Sequence, residues 1–254
     1  MGVFEDYVAA AHAVIDRIAT TQAGALELAA RRCAEAIASD HLVHLFGCGH
    51  SRMAVEEVWP RYGSFAGFHP IVELSMTFHN GVTGANGQRQ AMHIENVPGL
   101  ARAVARNFAF DPADVMIVFS TSGTNVVPVE MAMVAAEAGM FTIGVTSAEH
   151  CAAAVARQPA GRKLTDVCDL ILDNAAPPGD AMIRIPGVAQ PVGPGSTLGN
   201  TVIANGLKCR VAELLALRGQ PPVVLTSGVL VGAAESARLF DAAYDEHRRR
   251  VRRL

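Results

Sequence analysis

Two short stretches rich in glycine and hydroxyl side chains have the composition of phosphate-binding loops. Residues 47–51 read Gly-Cys-Gly-His-Ser, and residues 120–125 read Ser-Thr-Ser-Gly-Thr-Asn. Each stretch follows an apolar run typical of a strand and precedes a helical pattern. Helix N-termini at such junctions present unpaired N–H groups, and glycine lets the backbone approach an anion closely. Several neutral donors on one anion predict a phosphate monoester that is held without a metal.

The predicted phosphate ligands come from both loops. They are Gly49, Ser51, Ser120, Thr121, Ser122, Gly123, Thr124 and Asn125. We expect the hydroxyls of Ser51, Ser120 and Ser122 to converge on one anion, because adjacent parallel strands end at the same edge of a sheet. The alternative is that Ser51 and Asn125 only cap helices. Four hydroxyl residues within five positions of the second loop exceed what capping needs.

Two other nucleotide-binding motifs fit the chain less well. Gly47 and Gly49 match the start of a dinucleotide fingerprint, but its third glycine would fall near Arg52. Glu73 lies at an only approximately suitable distance for a ribose contact. No Gly-Lys-Ser or Gly-Lys-Thr tripeptide occurs in the chain, which excludes a P-loop.

The elements that must position these loops are those of an α/β fold with a parallel sheet. Apolar runs predict strands at residues 42–46, 70–74, 114–119, 141–145 and 169–172, with an extra edge strand at 181–185. Helical patterns cover residues 7–38 (in two parts), 52–59, 128–138 and 196–217, and a helix is expected after Pro98. Residues 75–96 lack clear periodicity and are predicted to form a long functional loop. We expect one domain, in which residues 1–40 form N-terminal helices and residues 41–254 bind the ligand.

Composition and charge argue against several other classes of protein. Hydrophobic residues make up 50% of the chain and charged residues 18%, which suits a parallel sheet covered on both faces. The net charge of −3 and the lack of a basic face disfavour nucleic acid. With no basic leader and no run long enough to span a membrane, we expect a cytoplasmic protein without membrane contact. The five cysteines lack CxxC spacing and should be free thiols. The basic tail at residues 247–253 should be a solvated helix end.

The two loops together resemble the sugar isomerase (SIS) superfamily, which includes phosphoheptose isomerase. The resemblance rests on residues 46–51, 119–125 and 128–132. A closer resemblance, to the phosphoheptose-isomerase-like sugar isomerase domain-containing proteins, extends through residues 56–57, 173–180, 192–197 and 213–215. It implies a flavodoxin-like three-layer αβα sandwich with Ser51, Ser120 and Ser122 around the phosphate of a sugar phosphate. It also implies a homodimer or tetramer with the site near the subunit interface. Many SIS proteins have a hydroxyl residue where this chain has Asn125, whose amide can still donate a hydrogen bond.

The same resemblance implies candidates for catalysis. An aldose–ketose isomerase needs a group that removes a proton beside the carbonyl and returns it to the neighbouring carbon. Phosphoheptose isomerases have a Glu-Glu pair followed by Arg-Tyr, similar to Glu56, Glu57, Arg61 and Tyr62. Glu57 is therefore the expected base, with a pKa raised towards neutrality, and Arg61 the expected substrate ligand. The alternative is a solvated carboxylate pair in which Arg61 neutralises Glu57.

Histidines complete the set of candidate residues. His50 is expected to donate to phosphate or assist opening of the sugar ring, unless it is a solvent-facing loop residue. His79, His93 and Glu95 are the fallback candidates for proton transfer, and their spacing does not support a metal site. We expect no metal and no cofactor, because the late helix at residues 196–217 has no histidine to match the metal-binding one of phosphoheptose isomerases. The predicted activity is isomerisation of a sugar phosphate; an amino-sugar-phosphate lyase or etherase and a non-catalytic phosphosugar sensor stay open.

Overall fold

In the computed structural model, which describes residues 2–73 and 87–254, five parallel strands form the central sheet. The strands are β1 (Val43–Gly47), β2 (Phe68–Ile71), β3 (Val115–Phe119), β4 (Phe141–Thr146) and β5 (Leu170–Asp173). Their spatial order is β2-β1-β3-β4-β5, the flavodoxin-like arrangement. The predicted α/β fold with a parallel sheet is confirmed.

Helices occupy most of the remaining described chain. They are α1 (Val3–Thr21), α2 (Ala23–Ala38), α3 (Arg52–Val58), α4 (Gly87–Ile94), α5 (Leu100–Ala105), α6 (Val126–Glu137), α7 (Ala148–Ala153), α8 (Leu164–Val167), α9 (Ser196–Leu217), α10 (Gly228–Val231) and α11 (Ala233–Val251). The break between α1 and α2 falls at Gln22, as the polar interruption in the sequence predicts. Gly139 ends α6 with a φ of 84°, a left-handed conformation that glycine adopts without strain.

Successive side chains of each strand point to opposite faces of the sheet, which divides the core into two layers. Val43, Leu45 and Ile117 point to one face, where they join Ala30 and Ile203 from the helices α2 and α9. On the other face Phe46, Met116 and Val118 pack with Val127 and Met131 of α6. A sheet buried on both faces explains why its strands read as continuous apolar runs. Val14 and Ile18 of α1 belong to the first of these cores.

Three sequence predictions need correction. The expected edge strand at residues 181–185 is instead β6 (Ala181–Ile183), which pairs antiparallel with β7 (Val192–Pro194) in a separate sheet. The strand expected at residues 70–74 lies earlier, at β2, because an edge strand tolerates Pro70 in its interior. The expected loop at residues 75–96 contains α4 in its second half, and residues 74–86 lie outside the described residues.

The basic tail is only partly solvated, because two of its arginines pack against the domain. The side chain of Arg250 is 8% exposed and donates to the carbonyl oxygens of Ile37 and His41. Arg253 pairs with the buried carboxylate of Asp114 at the amino end of β3. The tail therefore closes the end of the sheet opposite the two glycine loops. Among the described helices, none combines the length and the apolar composition needed to cross a bilayer.

Candidate functional site

The two predicted loops leave the sheet side by side. β1 and β3 are neighbours, and Gly47 pairs with Phe119 at the last position of both strands. The first loop then turns through Gly49–Ser51 into α3, and the second leads into α6. The loops therefore meet at the carboxyl edge of the sheet, where open α/β sheets bind ligands.

Serine hydroxyls of the second loop accept hydrogen bonds from the backbone of their own loop. The Oγ of Ser120 accepts from the N–H of Gly123 at 3.2 Å, and the Oγ of Ser122 accepts from the N–H of Thr124 at 3.4 Å. The Thr124 hydroxyl donates to the Oγ of Ser122 at 3.1 Å. Each serine oxygen is thus used as an acceptor, which leaves its own proton available to an anion.

Five of the predicted ligands line one cavity of about 370 Å³, called here the phosphate cavity. They are Ser51, Ser120, Thr121, Ser122 and Asn125. The other three do not line it. Gly49 and Gly123 have positive φ angles of 54° and 62°, and Thr124 is buried. A side chain at Gly123 would also meet the Sγ of Cys151 at 2.9 Å, so this glycine shapes the loop.

The capping alternative is wrong for both residues to which it applied. Ser51 occupies the N-cap position of α3 and Asn125 that of α6. Within the described residues, neither side chain accepts a hydrogen bond from a backbone N–H of its helix. The amide of Asn125 instead donates to Oε1 of Glu95 at 2.8 Å. Both side chains are thus directed to the phosphate cavity rather than to helix ends.

Glu95 is one of two carboxylates that the fold brings to the phosphate cavity, and Asp180 is the other. It follows α4, its backbone oxygen accepts from the N–H of Val127 at 3.0 Å, and its side chain lines the cavity. Burial raises the pKa of Glu95 to about 7, with Arg157 opposing the shift. Such a group exchanges protons readily at neutral pH. The sequence offered Glu95 only as a fallback, since nothing local predicts its burial.

Two further polar residues of the cavity were missed from the sequence. His150 enters from α7, and its Nδ1 is a buried atom without a hydrogen-bond partner among the described residues. Asp180 enters from the loop before β6 and accepts hydrogen bonds from the backbone N–H of Ser196 at 2.7 Å and of Gly195 at 3.0 Å. Asp180 thereby caps α9. No local helix-start signal identifies this role, because 16 residues separate Asp180 from the beginning of α9 at Ser196.

Glu57 and Arg61 lie in a second cavity of about 650 Å³, called here the aromatic cleft. Its wall includes Tyr62, Phe240 and Tyr244, and none of its described lining residues lines the phosphate cavity. Glu57 accepts from the amide of Asn205 at 2.9 Å and pairs with the guanidinium of Arg61. The sequence therefore did not anticipate that the carboxylate pair and the loops line separate cavities.

The protonation of Glu57 differs from the expectation. Burial raises its pKa, but the hydrogen bonds from Asn205 and Arg61 outweigh burial, and the net effect is a pKa below the usual value. The predicted shift towards neutrality is wrong for the protein without ligand, because two donors stabilise the ionised form.

Asn205 and Lys208 are polar residues of an otherwise apolar helix, and both contact Glu57. Asn205 donates to its carboxylate, and the Nζ of Lys208 donates to its backbone oxygen at 3.2 Å.

The two histidine candidates within the described residues, His50 and His93, do not line the phosphate cavity. His50 is exposed on the turn at Gly49–Ser51, and His93 is exposed on α4. His79 lies outside the described residues. Within residues 2–73 and 87–254, no three His, Cys, Asp or Glu side chains are grouped closely enough to hold a metal ion.

Comparison with known proteins identifies the family. The SIS domain model matches residues 6–147, which is more than half of the chain and includes both loops. The chain belongs to the SIS domain family. Its relatives include a UPF0309 protein of Geobacillus kaustophilus, 36% identical over 87% of this chain and 86% of that protein. A UPF0309 protein of Brucella abortus is 34% identical over 96% of this chain and 95% of the relative.

Solved structures of SIS proteins share the fold. A phosphoheptose isomerase from Francisella tularensis superposes with a TM-score of 0.52 at 15% identity, over 83% of this chain and 96% of that structure. A phosphoheptose isomerase from Neisseria gonorrhoeae gives the same TM-score, with 15% identity over 82% of this chain and 96% of the other. At this level of identity the likeness concerns the architecture, and the residues of the cavity must carry any argument about the reaction.

Proposed function

We propose that this SIS protein is a sugar-phosphate isomerase that binds the phosphate with its two loops and transfers the proton with Glu95. The observation that carries the proposal is the presence of Glu95 in the phosphate cavity with a pKa of about 7. A phosphate monoester would accept hydrogen bonds from Ser51, Ser120 and Ser122. The positive ends of α3 and α6 add favourable electrostatics.

One carboxylate, Glu95, carries the proton that moves between the two carbons in the proposed reaction. Ionised Glu95 removes the proton from the carbon beside the carbonyl of the open-chain sugar, and the carbonyl oxygen takes up a proton from solvent to give an enediol. Protonated Glu95 then returns its proton to the former carbonyl carbon, and the hydroxyl on the other carbon releases its proton to solvent as it becomes the new carbonyl. A carboxylate with a pKa near the ambient pH serves both half-reactions well. Arg61 and His50, candidates from the sequence, are not needed for this step.

Glu57 is the competing base, and a pair of isosteric variants distinguishes the two. Hexose, heptose, pentose and N-acetylated sugar phosphates are screened for thermal stabilisation, and the ligands found are incubated with protein in heavy water. NMR then follows exchange of the proton on C2. We expect Glu95→Gln to slow exchange by about 10²-fold or more while phosphosugar binding persists, and Glu57→Gln to retain exchange.

Each other outcome has a definite meaning. Loss of exchange in Glu57→Gln with full exchange in Glu95→Gln would transfer the role of base to Glu57. Release of a product by elimination would indicate a lyase, and a ligand that binds but stays chemically unchanged would indicate a sensor. Binding itself is tested with Ser120→Ala and Ser122→Ala, each expected to weaken the phosphosugar Kd by about tenfold through loss of one charge-assisted hydrogen bond.

A further inference from the structure

His150 is a polar residue of the phosphate cavity to which the proposed reaction gives no role. It lies on α7 and lines the cavity together with Glu95 and residues of both loops. Within the part of the chain that the structure describes, no hydrogen bond or ion pair involves its imidazole. Polar groups inside proteins normally have partners, so an imidazole without one in a binding cavity requires an explanation.

The backbone of His150 is held in place by contacts to two neighbouring loops. Its N–H donates to the Oγ of Ser147 at 3.1 Å, and that hydroxyl donates to the backbone oxygen of Ala176 at 2.6 Å. The N–H of Ser147 donates to the backbone oxygen of Thr121 at 3.0 Å, in the second phosphate loop. Ser147 itself is fully buried. His150 is therefore fixed relative to the loop that would bind the phosphate, as a group that acts on a substrate must be.

The two ring nitrogens of His150 have different surroundings. Nδ1 is covered by protein atoms and has no acceptor among the described residues, so a proton there would be a buried donor without a partner. Buried N–H groups without a partner are rarer in proteins than buried acceptors without one. Nε2 is not among the buried unpartnered atoms, and it is the nitrogen that a ligand can reach. The neutral imidazole should therefore carry its proton on Nε2 and present an N–H donor to the cavity.

The other side-chain donors of the cavity already have a role. In the proposed function the hydroxyl groups of the two loops bind the phosphate, and the amide of Asn125 donates to Glu95. Ionised Glu95 and Asp180 offer only acceptors to a ligand. Of the side-chain nitrogen donors on the described cavity residues, that of His150 is thus the one left for the oxygens of the sugar.

We propose that the Nε2–H of His150 donates a hydrogen bond to the carbonyl oxygen of the open-chain sugar phosphate and stabilises the negative charge that develops on it. This inference rests on the isomerase proposal. When Glu95 takes the proton from the adjacent carbon, the electron pair of that C–H bond forms the carbon–carbon double bond, and the carbonyl π electrons move onto the oxygen. An N–H donor already positioned at that oxygen lowers the barrier. The imidazole keeps its proton, and the oxygen is protonated by solvent.

Two variants test whether the N–H donor acts on the rate rather than on phosphate binding. His150→Leu removes the donor, and His150→Gln keeps an N–H at a similar distance from the backbone. With the sugar phosphate whose C2 proton the wild type exchanges fastest in heavy water, His150→Leu should slow exchange by about 10²-fold, and His150→Gln should recover at least about tenfold of that loss. The Kd for inorganic phosphate should change by less than about twofold in both variants, in contrast to Ser120→Ala. Thermal unfolding checks that both variants fold.

A measurement on the wild type tests the tautomer without any substitution. NMR of protein labelled with ¹⁵N-histidine at pH 8 should show the proton of His150 on Nε2; a proton on Nδ1 would overturn the inference. Wild-type exchange that persists undiminished in His150→Leu would overturn this inference alone and leave the isomerase proposal standing. Weaker binding of inorganic phosphate in His150→Leu would make His150 a phosphate ligand instead. A wild type that exchanges no C2 proton in any sugar phosphate of the screen would overturn both proposals.

Discussion

The side-chain amide of Asn125 donates to Oε1 of Glu95 at 2.8 Å, which joins the second phosphate loop to the only carboxylate proposed to move a proton. A second link runs from the N–H of Val127 to the backbone oxygen of Glu95 at 3.0 Å. Two hydrogen bonds therefore fix Glu95 relative to the second loop, one through its side chain and one through its backbone. A base held in one position relative to its substrate transfers a proton more readily than a freely moving one.

The first prediction concerns the pH dependence of turnover. Because Glu95 must be ionised to accept a proton and its pKa is about 7, kcat/KM should rise about tenfold per pH unit below that value and level off above it. Glu57, whose pKa is lowered, would give a profile that is flat across this range. Initial rates with the phosphosugar identified by screening, measured between pH 5 and pH 9, distinguish the two carboxylates.

The second prediction concerns the pH dependence of stability. The pKa of Glu95 is raised by burial from its usual 4.5 to about 7, so between these values the folded state binds a proton that the unfolded state has lost. The free energy of unfolding should therefore fall by roughly 2–3 kcal/mol as the pH rises through this window. Urea unfolding of wild type and Glu95→Gln at pH 5 and pH 8 measures this contribution. If the difference between the two pH values is the same in both proteins, Glu95 is not the titrating group.

The third prediction compares two arginines of the C-terminal tail. Arg253 pairs with Asp114, whose side chain is fully buried and also accepts from the N–H of Leu42 at 2.9 Å. Arg253→Ala should lower the free energy of unfolding by about 1–3 kcal/mol, because a buried carboxylate loses a charged partner. Arg248 is 68% exposed and pairs with Asp245. Arg248→Ala should therefore lower the free energy of unfolding by less than about 0.5 kcal/mol. Equal costs in urea unfolding would contradict the anchoring role of Arg253.

The fourth prediction compares two glycines of α9. A Cβ at Gly199 would lie 2.1 Å from the backbone oxygen of Asn174, whereas a Cβ at Gly206 would meet its nearest atom, on Leu26, at 3.6 Å. Gly199→Ala should therefore cost at least about 2 kcal/mol or prevent folding. Gly206→Ala should stabilise the helix by up to about 1 kcal/mol. Thermal unfolding measures both, and a tolerated Gly199→Ala would show that the helix can move away from the loop.

The fifth prediction concerns assembly, which stays a prediction from the sequence. Phe4, Val8 and Ile15 of α1 are 74%, 37% and 37% exposed, and their spacing places them along one stripe of the helix. We expect this stripe to pack against another copy, so Phe4→Glu combined with Ile15→Glu should reduce the mass measured by light scattering to that of a monomer. Val155→Glu, at a position 84% exposed, is the control. A wild type that is monomeric at micromolar concentration would contradict the prediction.

The parallel sheet and the meeting of the two loops were predictable from the amino-acid sequence. Both follow from local signals: apolar runs of strand length, a glycine-rich loop after each, and a helical pattern next. Once β1 and β3 are parallel neighbours, their loops must leave the same edge of the sheet. The helix Ser196–Leu217 was likewise predictable, because its pattern is long and uninterrupted.

Which acidic side chains line the phosphate cavity depends on contacts between distant segments. Glu95 and Asn125 are 30 residues apart, and Glu57 and Asn205 are 148 apart. Local spacing makes Glu57 the more conspicuous candidate, yet packing places it among donors that keep it ionised, while Glu95 is buried where its pKa rises to about 7. Burial and hydrogen-bond partners set a pKa, and both arise from contacts between distant segments. The sequence therefore indicates where the two loops meet, and the packing places Glu95 rather than Glu57 in the cavity beside them, with a pKa near neutrality.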